Sequence, residues 1–256
     1  MRIALRSAAL AYIGALVLVP LGMILYRTFE HGFVAFWESI TTPASIAAIS
    51  LSLTIVAIVV PLNVIFGLVT ALALARGDFP GKRWLEAVVD LPFAVSPVIV
   101  GVALILFWGN DGWLGGALPV IFSLPGMVLA TLFVTLPFVV REVEPVLNEI
   151  GTEQEEAAVT LGASKWQTLW RVTLPAIRVG LIYGIVLTVA RALGEFGALT
   201  VVAGGVAGES QTLTLLVHAR YIDDHNAFGA YSASTVLMGL AVLTLIAMTT
   251  LQRKRA

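Results

Sequence analysis

The chain has 256 residues, of which 59% are hydrophobic and only 12% charged, with a formal net charge of −1. Soluble domains carry about 25% charged and about 45–50% apolar residues, so this composition excludes an ordinary soluble enzyme. The balance supplies no basic surface for nucleic acid, and the absence of cysteine removes disulfides, thiolate zinc sites and thiol catalysis.

Six apolar runs follow in chain order, at about 8–26, 46–75, 87–108, 119–140, 176–203 and 231–251. Each is long enough for a helix across ~30 Å of hydrocarbon, which takes ~20 residues. The runs are continuously apolar where barrel strands would alternate over about ten residues, so the expected class is all-α with six transmembrane helices. Arg2 and Arg6 ahead of the first run give it the look of a secretory signal, but no small-x-small pattern precedes Arg27, and it reads as a retained span. The second run contains Pro61 and Gly67, the third Pro92, Pro97 and Gly101, and the fourth Pro125, Gly126 and Pro137. Ordinary kinking and packing account for such residues; the alternative is that Pro92 and Pro97 bend a pore-lining helix, where freed carbonyls meet a polar path.

Orientation follows from the cations. One side holds Arg2, Arg6, Arg76, Lys82, Arg83, Arg141, Lys165, Arg171, Arg178, Arg253, Lys254 and Arg255, the other only Arg27 and Arg220, and Arg191 lies within a span. The positive-inside rule then puts both termini in the cytoplasm. Residues 141–175 form the largest cytoplasmic segment and 204–230 the largest external loop, and with no internal repeat a single domain over 1–256 is expected.

In the cytoplasmic segment, Thr152-Glu153-Gln154-Glu155 predicts a capped helix start, the threonine accepting from the third helical amide and Glu155 reaching back. The helix should run to Gly162, where a turn costs least. A second short amphipathic piece, 165–171, follows, and Pro175 opens the next span. Glu156-Ala157-Ala158, then Gly162, then Val172-Thr173-Leu174-Pro175 resembles the signature loop of ABC importer permeases, with valine for the usual isoleucine. Asp90-Leu91-Pro92-Phe93-Ala94-Val95-Ser96-Pro97, Phe133-Val134-Thr135-Leu136-Pro137-Phe138-Val139-Val140-Arg141-Glu142 and Arg191-Ala192-Leu193-Gly194-Glu195-Phe196-Gly197-Ala198 are similar to the sulfate/thiosulfate permeases, specifically their W-type partner. The molybdate/tungstate permeases are similar too, especially over the last of these segments.

The resemblance implies a type I importer permease fold in the bacterial cytoplasmic (inner) membrane, working by alternating access on a tetrahedral oxyanion, sulfate ahead of molybdate. Over about 152–175 it implies a coupling helix gripped by an ATPase subunit: Glu156 pairs with an ATPase cation, small Ala157 and Ala158 permit close approach, Gly162 sets the angle between the short helices, and Leu174 and Pro175 complete the motif. It further implies two ABC ATPase subunits that bind ATP and Mg, a second, T-type permease and an external substrate-binding protein. The chain itself would be non-catalytic and hold no cofactor. Its one near miss to a phosphate loop, Gly77-Asp78-Phe79-Pro80-Gly81-Lys82-Arg83, has three residues between its glycines where four are needed, and Arg83 where serine or threonine belongs.

Arg191 and Glu195 are the intramembrane charges. On a straight helix Arg191 would lie ~24 Å from Pro175, past the middle of the slab, and at i,i+4 the two would share a face. They are either a neutralised pair that locks helices together or a weak electrostatic path for the anion, with Glu195 preventing capture. The hydroxyls of Ser96, Thr131, Thr135 and Thr188 either line that path or bond their own helix carbonyls. The external loop, with Glu209, His218, Arg220, Asp223, Asp224 and His225, reads as a solvated connection; its spacing supports no metal site, and the resemblance makes it a docking surface for the binding protein. A secondary transporter using Arg191 and Glu195 as a proton-coupling pair is the rival, which inverted repeats would favour.

Overall fold

The structure, a computed structural model, describes residues 2–114 and 118–253; the cations Lys254 and Arg255 lie outside the described residues. The described residues form helices and connecting turns, with no strand among them. Helix α1 spans Arg2–Phe29, α2 Gly32–Ile40, α3 Pro43–Arg76, α4 Lys82–Ala94, α5 Pro97–Trp108 and α6 Leu124–Ile150. After the short α7, Glu153–Thr160, comes a continuous helical run built of α8, Lys165–Thr168, a π-helical turn, Leu169–Thr173, and α9, Leu174–Leu193. Then follow α10, Gly197–Val202, α11, Leu213–His218, a second π turn, Ala219–Asp223, and α12, Ala227–Arg253. Five of these helical stretches are long and apolar enough to cross a membrane, and α4 with α5, bent by 112° to each other, pass the same test as a pair, which is the geometry of a broken span or a re-entrant loop.

Four expectations need correction. The third span breaks at Ser96, whose extended backbone (φ −60°, ψ 136°) is what a following proline imposes; Pro92 stays inside α4, so the bend belongs to Pro97. The fourth span starts later and continues through 141–150, so Arg141 lies within a helix and the displayed loop begins only at Gly151 (φ +65°). The fifth stops at Leu193, and Glu195 and Phe196 lie between helices, so Arg191 and Glu195 do not share one helix face. The external segment is also more than a solvated connection: Leu213 and Leu216 of α11 pack with Ala48 and Ala233.

Helix α6 is the axis of the bundle because small residues let its neighbours approach. A Cβ on Gly67 of α3 would lie 2.7 Å from Val139 Cβ, and one on Gly184 of α9 2.9 Å from Val139 Cα. Close contact of this kind is how membrane helices associate where no hydrophobic drive operates between them. Val139, Val140, Val143 and Leu147 of α6 are buried with Ala71, Leu74, Val89 and Ile177 at one end; Val128, Ala130 and Val134 pack with Ile55, Val59 and Leu199 at the other. Thr28 shares a hydrogen bond with Thr235 (2.8 Å), and His31 packs edge-on to Phe228. The end of α1 therefore meets the start of α12.

Candidate functional site

Helix α7 stands at the end of the bundle but is not free of it. The Arg76 guanidinium, at the end of α3, donates to the carbonyls of Leu147 (2.9 Å) and Gly151 (2.6 Å), which close α6, and to Glu155 of α7 (Nε to Oε2, 3.1 Å). Thr173, at the head of α9, donates to Glu155 Oε1 at 2.8 Å. One ion pair thus ties α7 to three membrane helices, and it satisfies carbonyls that a helix C-terminus leaves without partners. This also explains why the predicted cap does not form: Glu155 is drawn to Arg76 and Thr173, and the Thr152 hydroxyl donates instead to Glu156 Oε1 (2.7 Å). The box pattern is realised twelve residues later, where Ser164 and Gln167 bond reciprocally.

The outer face of this element is open. Glu156 and Ala157 are exposed and Ala158 half-buried, while Val159 and Leu161 present apolar side chains to the surroundings, Leu161 at 89% exposure. Gly162 has φ +87°, a left-handed turn suited to glycine, with open space around it. Trp166 and Trp170 stack edge-to-face with centroids 5.5 Å apart, both exposed. Leu174 packs partly on the α6 core and Pro175, exposed, lies in the first turn of α9. No break separates the second short helix from α9: the π turn joins them, so movement of Lys165–Thr168 passes directly along the span.

At the far end of α9 the chain folds round a buried carboxylate. Glu195 is fully buried; its Oε1 accepts from the Ala198 amide (2.9 Å) and caps α10, and its carbonyl accepts from Thr214 (2.7 Å). Arg191, 32% exposed, meets Oε2 at 2.6 Å as an ion pair, without the alignment of a hydrogen bond. Thr131, Thr135 and Thr188 are buried and donate to Met127, Thr131 and Gly184 carbonyls on their own helices; Thr135 also accepts from Asn63 (2.6 Å). Ser96 is exposed at the α4–α5 break. Arg220 is buried, donating to Gly229 O (3.1 Å), Thr42 Oγ1 (3.0 Å) and Ser45 Oγ (2.7 Å). Burial pulls its guanidinium below the ordinary value and Asp224 pulls the other way; an arginine stays protonated regardless. Among the described residues no cluster of side chains suits a metal ion.

Residues 63–256 match the family model described as "Binding-protein-dependent transport system inner membrane component". The chain belongs to this family. It is 47% identical to a protein named sulfate transport system permease protein CysW from Synechococcus elongatus, over 95% of this chain and 87% of that one. It is 34% identical to the sulfate transport system permease protein CysT of Escherichia coli, over 97% and 91% of the two chains. A crystal structure of a bacterial ABC transporter for import of the polysaccharide alginate superposes with a TM-score of 0.80 at 18% identity, covering 100% of this chain and 97% of that one, which shows the fold.

Sequence reasoning about this permease missed two arrangements. Arg76 entered only as a topological charge, because its partner Glu155 lies 79 residues away and no local pattern links the two. Asp90 entered only within a segment read for resemblance and Arg141 also as a topological charge, yet Arg141 donates through Nε to Asp90 Oδ1 (2.9 Å) and through Nη2 to Oδ2, a side-by-side fork between α6 and α4.

Proposed function

We propose that this permease is the W-type half of an ATP-driven importer that moves a tetrahedral oxyanion, sulfate or thiosulfate, into the cytoplasm. The observation that carries the mechanism is the Arg76–Glu155 staple. An exposed helix with an acidic, small and apolar face is fastened at once to α3, α6 and α9, so force applied to it is delivered to the bundle rather than lost in a loose loop. In this reading a separate ATPase subunit grips Glu156, Ala157, Ala158 and the Gly162 turn, and a second copy grips a T-type partner permease. ATP and Mg belong to those subunits; this chain contributes the handle, Leu174 and Pro175 passing its movement to α9. An external binding protein delivers the anion, as the family's description implies, and the similarity to the sulfate permeases supports the choice of cargo.

For the outer path, Arg191 is the proposed weak station for the anion, with Glu195 limiting how tightly it holds and the exposed Ser96 hydroxyl as a neutral donor. The burial of Thr135 and Thr188 and their bonds to helix carbonyls favour a packing role over a place on that path.

The test is uptake of radiolabelled sulfate by cells that lack their own importer and express this chain with its partner subunits. ATP-dependent uptake is expected, with loss of uptake and of ATPase co-purification in Glu156→Lys while the chain still reaches the membrane. Uptake that follows an ion gradient and ignores ATP would favour the secondary-transporter reading instead.

A further inference from the structure

Helix α2 has an apolar face that the described residues leave open. Phe33 is 64% exposed, Val34 70% and Trp37 55%, and Phe33 and Trp37, at i and i+4, share one side of the helix. The other side is fixed to the bundle. Phe36 is buried, and the Ser39 carbonyl accepts from Ser45 Oγ (2.9 Å) and Arg220 Nη2 (3.4 Å). Arg220 is held in turn by Gly229 O, Thr42 Oγ1 and Ser45 Oγ. With that side fastened, α2 cannot roll its open rings inward, and they form a raft. Phe29 stacks on Phe33 (centroids 6.5 Å apart, planes 3° from parallel) and Phe33 on Trp37 (6.4 Å, 21°), while Phe36 meets Phe29 from the buried side at 5.1 Å. A contiguous exposed apolar patch marks a surface that something else covers.

The depth of the patch follows from α1. Residues 7–26 carry no charge between Arg6 and Arg27 and rise ~30 Å at 1.5 Å per residue, the thickness of a hydrocarbon core. Arg27 therefore marks one boundary of that core, and α2, opening at Gly32, follows directly on the end of α1. Aromatic rings at this level meet the zone of lipid carbonyls and upper acyl chains, where tryptophan accumulates in membrane proteins. The charges beside the raft fit the same place, since Arg27 and Glu30 neutralise each other at 3.0 Å and so offer little field to steer a charged protein. We infer that α2 is an interfacial anchor, its Phe33–Val34–Trp37 face bedded in phospholipid of the leaflet at the end of α3 opposite α7. Because Arg220 fastens α2 to the segment 204–230, the anchor also fixes the height of that segment relative to the bilayer. This holds whichever anion passes.

The experiment uses the whole importer complex in phospholipid nanodiscs, with a nitroxide spin label on Val34→Cys or Trp37→Cys. This chain has no cysteine, so the unsubstituted complex supplies the background from thiols of the other subunits. Collisions of each label with oxygen, which concentrates in lipid, and with a water-soluble nickel chelate are read by paramagnetic resonance. A label on Leu16→Cys, between Arg6 and Arg27 and exposed, gives the hydrocarbon value. At 34 and 37 oxygen collisions are expected to exceed nickel collisions several-fold, with the ratio below that at Leu16, and adding the external binding protein should leave both unchanged. Either position decides alone if the other variant fails to assemble. Nickel collisions in excess would place the face in water and overturn the inference. Few collisions with either reagent would mean that a neighbouring protein covers it, with the same consequence. Loss of nickel collisions only once the binding protein is added would make α2 a protein-docking surface, which also overturns it.

Discussion

Breaking the staple between Arg76 and Glu155 should uncouple ATP hydrolysis from transport without dismantling the bundle. Arg76→Gln removes charge-assisted bonds to Leu147 O, Gly151 O and Glu155, with both partner side chains about one-fifth exposed. Such bonds contribute about 1.5–3 kcal/mol each where well shielded, and partial exposure argues for the lower end. The pairwise part shared with Glu155 should then be about 1–2 kcal/mol, a factor of roughly five to thirty in the population of α7 held against α3. The assay is anion transported per ATP hydrolysed in proteoliposomes, for Arg76→Gln, Glu155→Gln and the double variant. Each single variant should lower that ratio several-fold while ATPase association stays intact, and the double should be no worse than the worse single. Fully additive losses, with an interaction below about 0.3 kcal/mol, would mean that the two side chains act independently and that the staple is not how the handle is held.

Substitutions at three other positions probe the same frame. Gly162→Ala must hold φ +87° in open space, so it should cost only about 1–2 kcal/mol of local strain and slightly reduce co-purified ATPase, whereas Gly162→Trp should eliminate it; equal effects would contradict a surface role for this turn. Gly184→Ala would place its Cβ 2.9 Å from Val139 Cα, backbone that cannot swing aside, and should lower the melting temperature of the purified complex in line with about 1–3 kcal/mol of overpacking. Arg220→Gln should leave Ser45 Oγ and Gly229 O without their donor and raise proteolysis within 204–230; because the arginine remains charged, this protection should not change over roughly pH 5–9.

Where the chain crosses the membrane was legible, because a continuous apolar run of sufficient length has few other uses. Where it breaks was not. The polar dip at Arg191, Gly194 and Glu195 is brief and the run from 176 to 203 turns apolar again after it, so the break, which depends on Glu195 capping Ala198 and its carbonyl binding Thr214 nineteen residues further on, was not read from it. Likewise Thr152-Glu153-Gln154-Glu155 has the letters of a capping box, but its glutamate has a stronger partner 79 residues away. Ser164-Lys165-Trp166-Gln167 has no such competitor and forms the box its letters allow. Arg141 reads as the start of a loop because a charge commonly closes a span; the helix instead runs on to Ile150, with Arg141 paired to Asp90 on the neighbouring helix. The small residues of the motif and the left-handed turn at Gly162 were readable because local geometry alone decides them, while every misplaced charge depended on a distant partner.

Transmission requires that the handle and the path belong to one rigid body, and the glycine contacts supply it. Gly67, Gly180 and Gly184 bring α3 and α9 against the backbone of α6, with a Cβ on Gly180 reaching 2.5 Å from Glu142 O. Packed interfaces of this density switch between arrangements rather than deform gradually, so α3, α6 and α9 must move together. The Arg76–Glu155 staple attaches α7 to that block at one end, and the Arg191–Glu195 pair terminates the block at the other. By contrast, α5 meets α10 beyond the breaks at Ser96 and Gly194, where Gly101 abuts Ala198. A displacement of α7 therefore reaches the two breaks through the block, and α10, whose Leu199 shares a buried core with Val128 and Val134 of α6, is carried with it while the extended backbone at Ser96 lets α4 and α5 change their angle.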